Sequence, residues 1–336
     1  SSDLNVGVKR ISNSLKDYSY AKLMKATVYK STGSWYIVKN DSGKQFNARI
    51  LGKFKIDGLT STNPIAVGDR VEIEMENELE SSVTITQIHK RENYITRTSP
   101  ANKHHHHIIA SNLSQSLLFA TLKDPKTSQG FIDRFLISSE SFHIPTIIVF
   151  NKADLYKKKE EEKFEELKLM YEKIGYTVKK ISVEKEEGLT ELTELLKNKT
   201  TLISGHSGVG KSSFLNKLFP QKKLKTKDVS GWSGKGMHTT TFAEMFDLPP
   251  HVFRDGGKII DTPGIRELGL VDISRQELSH YFPEMKALIN ECQFNNCMHI
   301  NEMDCAIKIA VNEGAIAIDR YVSYMNILDT IIDKKY

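Results

Sequence analysis

The octapeptide Gly205-His206-Ser207-Gly208-Val209-Gly210-Lys211-Ser212 constrains this 336-residue chain more than any other stretch. It follows the apolar run TTLIS, precedes the helix-forming run SFLNKLF, and fits G-x-x-x-x-G-K-[ST] in full. In a strand–loop–helix setting the glycines let backbone N–H groups turn inward around an anion. The positive end of the following helix faces the same point. Residues Gly205 to Ser213 therefore predict a phosphate-binding loop. Lys211 is expected to reach β- and γ-phosphates and Ser212 to ligate Mg²⁺.

The surroundings supply the α/β frame that such a loop needs. SQSLLFATL, PTIIVF, TVKKISV, TTLISG and KIIDTPG read as strands. FIDRFLISSESF, KKKEEEKFEELKLMYEKIG, LTELTELLKN and SSFLNKLF read as helices. Their alternation from Ile108 to Leu270 predicts a parallel sheet with helices on both faces.

Further elements of a nucleotide site follow the loop. Asp261-Thr262-Pro263-Gly264 ends the strand KII, so Asp261 is expected to hold Mg²⁺ through water and the Gly264 N–H to meet the γ-phosphate. Between them lies Gly236-Met237-His238-Thr239-Thr240-Thr241. Thr240, or else Thr239, is expected to complete the Mg²⁺ shell, and the glycine-rich lead SGWSGKG predicts a loop that orders around a γ-phosphate. The residue after DTPG is Ile265, which cannot polarise water. His238 is then the local candidate to orient the attacking water, with a solvated loop histidine as the plainer reading.

The base-reading element stands upstream. Asn151-Lys152-Ala153-Asp154 follows the strand IIVF. A carboxylate at Asp154 accepts from guanine's ring N–H and exocyclic amine, a donor pair adenine lacks. The Lys152 stem is expected to pack on the purine. Ser182-Val183, after KKI, is expected to offer a backbone N–H to the guanine oxygen. The order is base reader, closing loop, phosphate loop, switch loop, magnesium loop. A GTPase site with its ends joined and a new cut between magnesium loop and base reader has this order: a circular permutation, tolerated where old termini lie close.

Residues 24–98 predict about five short strands, from KATVYKSTGSWYIV to SVTITQIH, punctuated by Gly, Asn, Asp and Pro. A closed OB-like β-barrel is the reading, with a small β-sandwich as the alternative. Residues 91–107, ending in His104–His107, read as a linker and a solvated histidine run. Residues 1–23 are polar and without period, and read as a loose N-terminal extension or residues added for expression. Residues 271–336 are expected to be helical, with ISRQELSHYFPEMKALI as one helix.

Cys292-x₄-Cys297-x-His299-x₅-Cys305 uses every cysteine of the chain beside one histidine. Three thiolates and an imidazole make a complete tetrahedral set for one structural Zn²⁺, with no position open for catalysis. An odd, clustered cysteine count argues against a disulfide framework and for a reducing, cytoplasmic setting. The net charge of +5 suits a nucleic-acid partner. No apolar run is long enough to span a membrane.

Together FNKADL, SGHSGVGKSSFLN, GMHTTT, DTPGIRELGL and C-x₄-C-x-H-x₅-C resemble the ribosome small-subunit-dependent GTPase A family over roughly residues 24–330. The resemblance implies three units: barrel 24–98, permuted P-loop GTPase domain 99–270 and helical zinc-binding unit 271–336. It implies GTP hydrolysis to GDP stimulated by the 30S subunit late in assembly, by a protein that binds in its GTP form. It also implies contacts of the barrel and zinc unit with 16S rRNA. Lys30, Trp35, Tyr36, Lys39 and Arg49 are the candidate RNA-facing residues of the barrel. A monomer is the simplest state. The alternatives are a regulatory GTPase whose barrel and zinc unit bind protein, and a zinc-stabilised RNA-binding protein with an inert nucleotide domain.

Overall fold

The computed structural model describes residues 23–33, 35–50, 64–75, 82–98, 106–221, 243–250, 253–262 and 273–331. Residues 1–22, His104, His105, the switch segment with His238, Thr239 and Thr240, and Gly264 lie outside the described residues.

Five strands close a barrel: β1 (Met24–Ser31), β2 (Tyr36–Asn40), β3 (Gln45–Ile50), β4 (Arg70–Met75) and β5 (Ser82–Ile88). β1 pairs with β2, β2 with β3, β3 with β5 in parallel, β5 with β4, and β4 returns to β1. That closure satisfies both edges of every strand and settles barrel over sandwich. Alternate residues fill the interior, among them Val28, Tyr36, Val38, Phe46, Ala48, Ile73 and Ile85.

Part of the stretch expected as a linker is instead paired strand. β6 (Tyr94–Thr98) pairs antiparallel with β7 (His106–Ser111), placing His106 and His107 opposite Thr98 and Arg97. The correction has a simple cause: YIT and IIA are β-branched and aromatic segments, and Ile95 and Ala110 bury fully as a registered pair.

The central sheet is built from β8 (Gln115–Ala120), β9 (Thr146–Phe150), β10 (Thr177–Lys180), β11 (Thr200–Gly205), β12 (Glu244–Asp247) and β13 (Lys258–Asp261). Their order is β10-β9-β8-β11-β13-β12, parallel except for β12, which runs antiparallel to β13. β8 and β9 are buried at every position, as strands covered on both faces must be. One face packs on α1 (Gln129–Ser141) and α2 (Lys158–Lys173) through Phe135, Leu136, Phe164 and Leu167. The other packs on α3 (Leu189–Glu194) and α4 (Lys211–Leu218) through Leu192, Phe214 and Leu215. Barrel and central sheet form one eleven-stranded sheet, because β1 pairs with β12 at Lys30 and Glu244.

The C-terminal segment holds α5 (Pro283–Lys286), α6 (Ala306–Asn312) and α7 (Ile318–Leu328). The single helix expected over ISRQELSHYFPEMKALI is broken into a 3₁₀ turn, Leu278–Tyr281, and the short α5. Pro283 cannot continue the earlier turn and opens the new helix at its first position. This unit docks on α1: Ile137 sits in its core with Phe282, Tyr324 and Leu328.

Candidate nucleotide site and metal centre

The phosphate loop leaves the carboxyl end of β11 and enters α4, the position where open α/β sheets bind ligands. Two of its glycines are forced by their surroundings. Gly205 has φ +137°, and a Cβ there would lie 2.3 Å from the Phe119 carbonyl oxygen. Gly210 has φ +99°, and its Cβ would lie 2.1 Å from Asn151 Nδ2. Val209 is buried, Ser207 and Ser213 are exposed, and His206 stacks on Phe131 of α1 with ring centroids 3.7 Å apart. Gly208, with φ +84°, turns the loop between them.

Lys211 Nζ donates to the carbonyls of Gly205 and His206, at 2.6 Å each. Burial pushes its amine down to about 8, against the pull of the Asp261 carboxylate. Asp261 ends β13 opposite Ile203, beside the phosphate loop. Burial raises its carboxyl, and Lys211 works in the other direction. Ser212 stands next to Lys211 in the first turn of α4. The site thus carries one cation and one carboxylate that are each poorly solvated without a ligand, an arrangement suited to a phosphate and a divalent ion.

Asn151 ties the base reader to both neighbouring loops. It is buried at the end of β9, its Nδ2 donates to the Val209 carbonyl at 2.9 Å, and its Oδ1 accepts from the Val183 N–H at 3.1 Å. Sequence separations of 58 and 32 residues collapse onto one side chain. Asp154 is exposed, and its Oδ1 accepts from the Ser182 hydroxyl at 2.5 Å. Lys152 takes a left-handed backbone, φ +64°, and its amine donates to the Asp124 carbonyl.

The closing loop departs from expectation. The N–H of Ser182 donates to the Glu187 carbonyl at 3.0 Å and that of Val183 to Asn151. Both donors are already bonded: the first closes the loop on itself and the second braces the base reader. The short Ser182–Glu187 bridge that consumes the Ser182 donor is set by the left-handed turn at Glu186 and Gly188.

Cys292, Cys297, His299 and Cys305 converge, with ligand atoms all within 4.8 Å of one another. His299 Nδ1 lies 3.4 Å from Cys305 Sγ and 3.7 Å from Cys292 Sγ. Ligands about 2.3 Å from a tetrahedral zinc lie roughly 3.8 Å apart, so the donor set fits the ion. Burial pushes the Cys297 thiol up to about 12 in the absence of a cation, so loading the site must release protons. The loop that presents His299 is clamped on both sides. Glu302 accepts from the N–H groups of Met298 and Ile300, at 2.7 Å each. Tyr324 and Tyr321 of α7 donate to the carbonyls of Met298 and His299, at 2.8 and 2.6 Å.

The barrel candidates divide. Tyr36 is 1% exposed and belongs to the barrel core, so its place on an RNA face is corrected: β2 turns Tyr36 and Val38 inward. Lys30 pairs with Glu244 at 3.1 Å and Lys39 with Asp247, both across the joint to β12. Trp35 remains 42% exposed, with the Arg49 guanidinium 4.0 Å over its ring. Sequence reasoning missed Phe131, Ser182's hydroxyl and Glu302. Only Ser182 had a local signal, its position in the closing loop.

Family models match most of the chain. The RsgA GTPase model covers residues 88–271 and the RsgA N-terminal domain model residues 25–83. A Cytophaga hutchinsonii protein described as small ribosomal subunit biogenesis GTPase RsgA is 53% identical over 305 residues, 91% of this chain and 98% of its own. The crystal structure of YjeQ from Thermotoga maritima superposes with a TM-score of 0.74 at 32% identity, over 94% of this chain and all of that one. YloQ, described as a circularly permuted GTPase, gives 0.70 at 27% identity, over 95% and 99%. Among the described residues, no helix is long and apolar enough to cross a membrane.

Proposed function

Since the chain belongs to the RsgA GTPase family, we propose that this site runs a GTP–GDP cycle coupled to biogenesis of the small ribosomal subunit. The chain is a GTP hydrolase. The observation that carries the assignment of the site is Asn151, which bonds base reader, phosphate loop and closing loop into one pocket rim despite their rotated order.

Asp154, oriented by Ser182, reads guanine. Lys152 lines the purine face. The N–H groups of Gly205–Ser213 and Lys211 hold the phosphates. Ser212, Asp261 and Thr240 hold Mg²⁺, which when bound offsets charge on the β- and γ-phosphate oxygens. His238 orients the attacking water and Gly264 meets the γ-phosphate. Zn²⁺ at the Cys₃His set is structural, because it takes all four positions.

The units are 24–98, 99–270 and 271–336. The partner is the 30S subunit with its 16S rRNA, the setting is the cytoplasm and the protein acts as a monomer. In the barrel, Trp35 with Arg49 above it is a stacking platform for an unpaired base, which supports an RNA contact there. GTP turnover with and without isolated 30S subunits tests the reading. Stimulation that falls with salt is expected, and His238→Ala should abolish the stimulated part. No stimulation would instead favour a regulatory GTPase that acts on a protein target.

A further inference from the structure

The geometry points to Phe131 as a positioning residue of the phosphate loop, held in place by the zinc unit on the opposite side of α1. Three sets of contacts meet on this one 13-residue helix. In its first turn, the Phe131 ring stacks on His206 with centroids 3.7 Å apart and planes 29° apart. The carbonyl of that same histidine accepts from Lys211 Nζ at 2.6 Å. His206 therefore joins α1 to the lysine that meets the phosphates.

One half-turn further on, Asp133 is fully buried. It accepts from Tyr171 of α2 at 2.7 Å and from Arg320 of α7 at 2.6 Å. Arg320 is 1% exposed, lies 4.6 Å over the Phe282 ring, and also donates to both oxygens of Glu284, at 2.6 and 3.2 Å. Another turn along, Ile137 is buried in the core of the zinc unit.

A buried guanidinium with two carboxylates tolerates little displacement, because moving any partner strands a charge in a dry interior. Roughly two turns of helix, about 9 Å, separate Phe131 from Ile137, too short a span to flex appreciably. Docking of the zinc unit thus fixes α1, α1 fixes the Phe131 ring, and the ring fixes His206. The zinc unit is part of the structure that holds the phosphate loop in shape, by a route independent of the magnesium loop.

The inference rests on the guanine-nucleotide reading of the site and is tested on the full, zinc-loaded chain by equilibrium titration with a fluorescent GDP analogue. Phe131→Ala should raise Kd about two- to tenfold, the range an aromatic pair is worth. Phe131→Tyr, which keeps the ring, should restore it. Arg320→Met should raise Kd in the wild-type background but add little on top of Phe131→Ala, as residues acting through one another do. Should Arg320→Met fail to fold, Glu284→Gln weakens the same ion pair from within the zinc unit and should show the same non-additivity. An unchanged Kd for Phe131→Ala, no recovery with Phe131→Tyr, or fully additive effects would overturn the inference. No binding by the wild-type chain would overturn the nucleotide reading itself, and the inference with it.

Discussion

Nucleotide binding should take up a proton near pH 8, and Lys211 is the reason. Burial holds its amine at about 8 rather than the ordinary 10.5, beside the Asp261 carboxylate and the carbonyls of Gly205 and His206. That gap corresponds to about 3 kcal/mol by which burial disfavours the ammonium relative to a solvated lysine. Between those two pH values the unfolded chain binds the extra proton, so the stability of the empty protein rises with pH there. A di- or triphosphate reverses the preference. Its terminal oxygens are fully ionised above pH 7 and favour the ammonium. Simple titration of a group at 8 gives uptake of about 0.1 proton per GDP at pH 7, 0.5 at pH 8 and 0.9 at pH 9, and Kd rising about tenfold from pH 7 to pH 9. The assay is calorimetric titration in buffers of different ionisation enthalpy, whose slope counts protons directly. Lys211→Arg keeps its charge throughout and should lose this uptake, and the difference between the two proteins cancels any contribution from the guanine base, which they share. Wild-type uptake near zero at pH 8, or an equal slope in the arginine variant, would refute the reasoning.

Gly210→Ala should weaken GDP binding at least about tenfold while leaving the circular dichroism spectrum intact, because its φ of +99° and the 2.1 Å approach to Asn151 Nδ2 leave no room for a methyl group. Asp133→Ala should cost about 3–5 kcal/mol of stability, read by chemical denaturation, since it leaves the buried Arg320 short of a partner. Cys305→Ser should lower zinc from one ion per chain toward none by elemental analysis, with loss of helical signal from the C-terminal unit.

What could be read in the sequence was what short spacing encodes. The candidate phosphate loop, base reader and metal-ligand set each lie within 14 residues or fewer, so residue types and intervals are enough to propose them. What could not be read was contact over long separations. Arg320 meets Asp133 across 187 residues, and α7 offers no sign beforehand that its one arginine turns inward. Trp35-Tyr36-Ile37-Val38 is apolar at every position, so alternation could not say which ring faces water; strand register decides that Tyr36 goes in and Trp35 stays out. The permuted order was legible as order alone. That Asn151 makes the rotated pieces one rim required coordinates.

The pairing of β1 with β12 bears on how the edge of the central sheet is covered. The central sheet has two ends. At one, β10 reads TVKK, and its two lysines discourage the addition of another strand. At the other, β12 reads EMFD, with Met245 and Phe246 buried, and the barrel's first strand lies against it at Lys30–Glu244 and through Tyr29 and Lys39 on Asp247. The barrel is therefore the guard of an aggregation-prone edge. A truncated chain beginning after the barrel would expose β12 to strand addition by its neighbours.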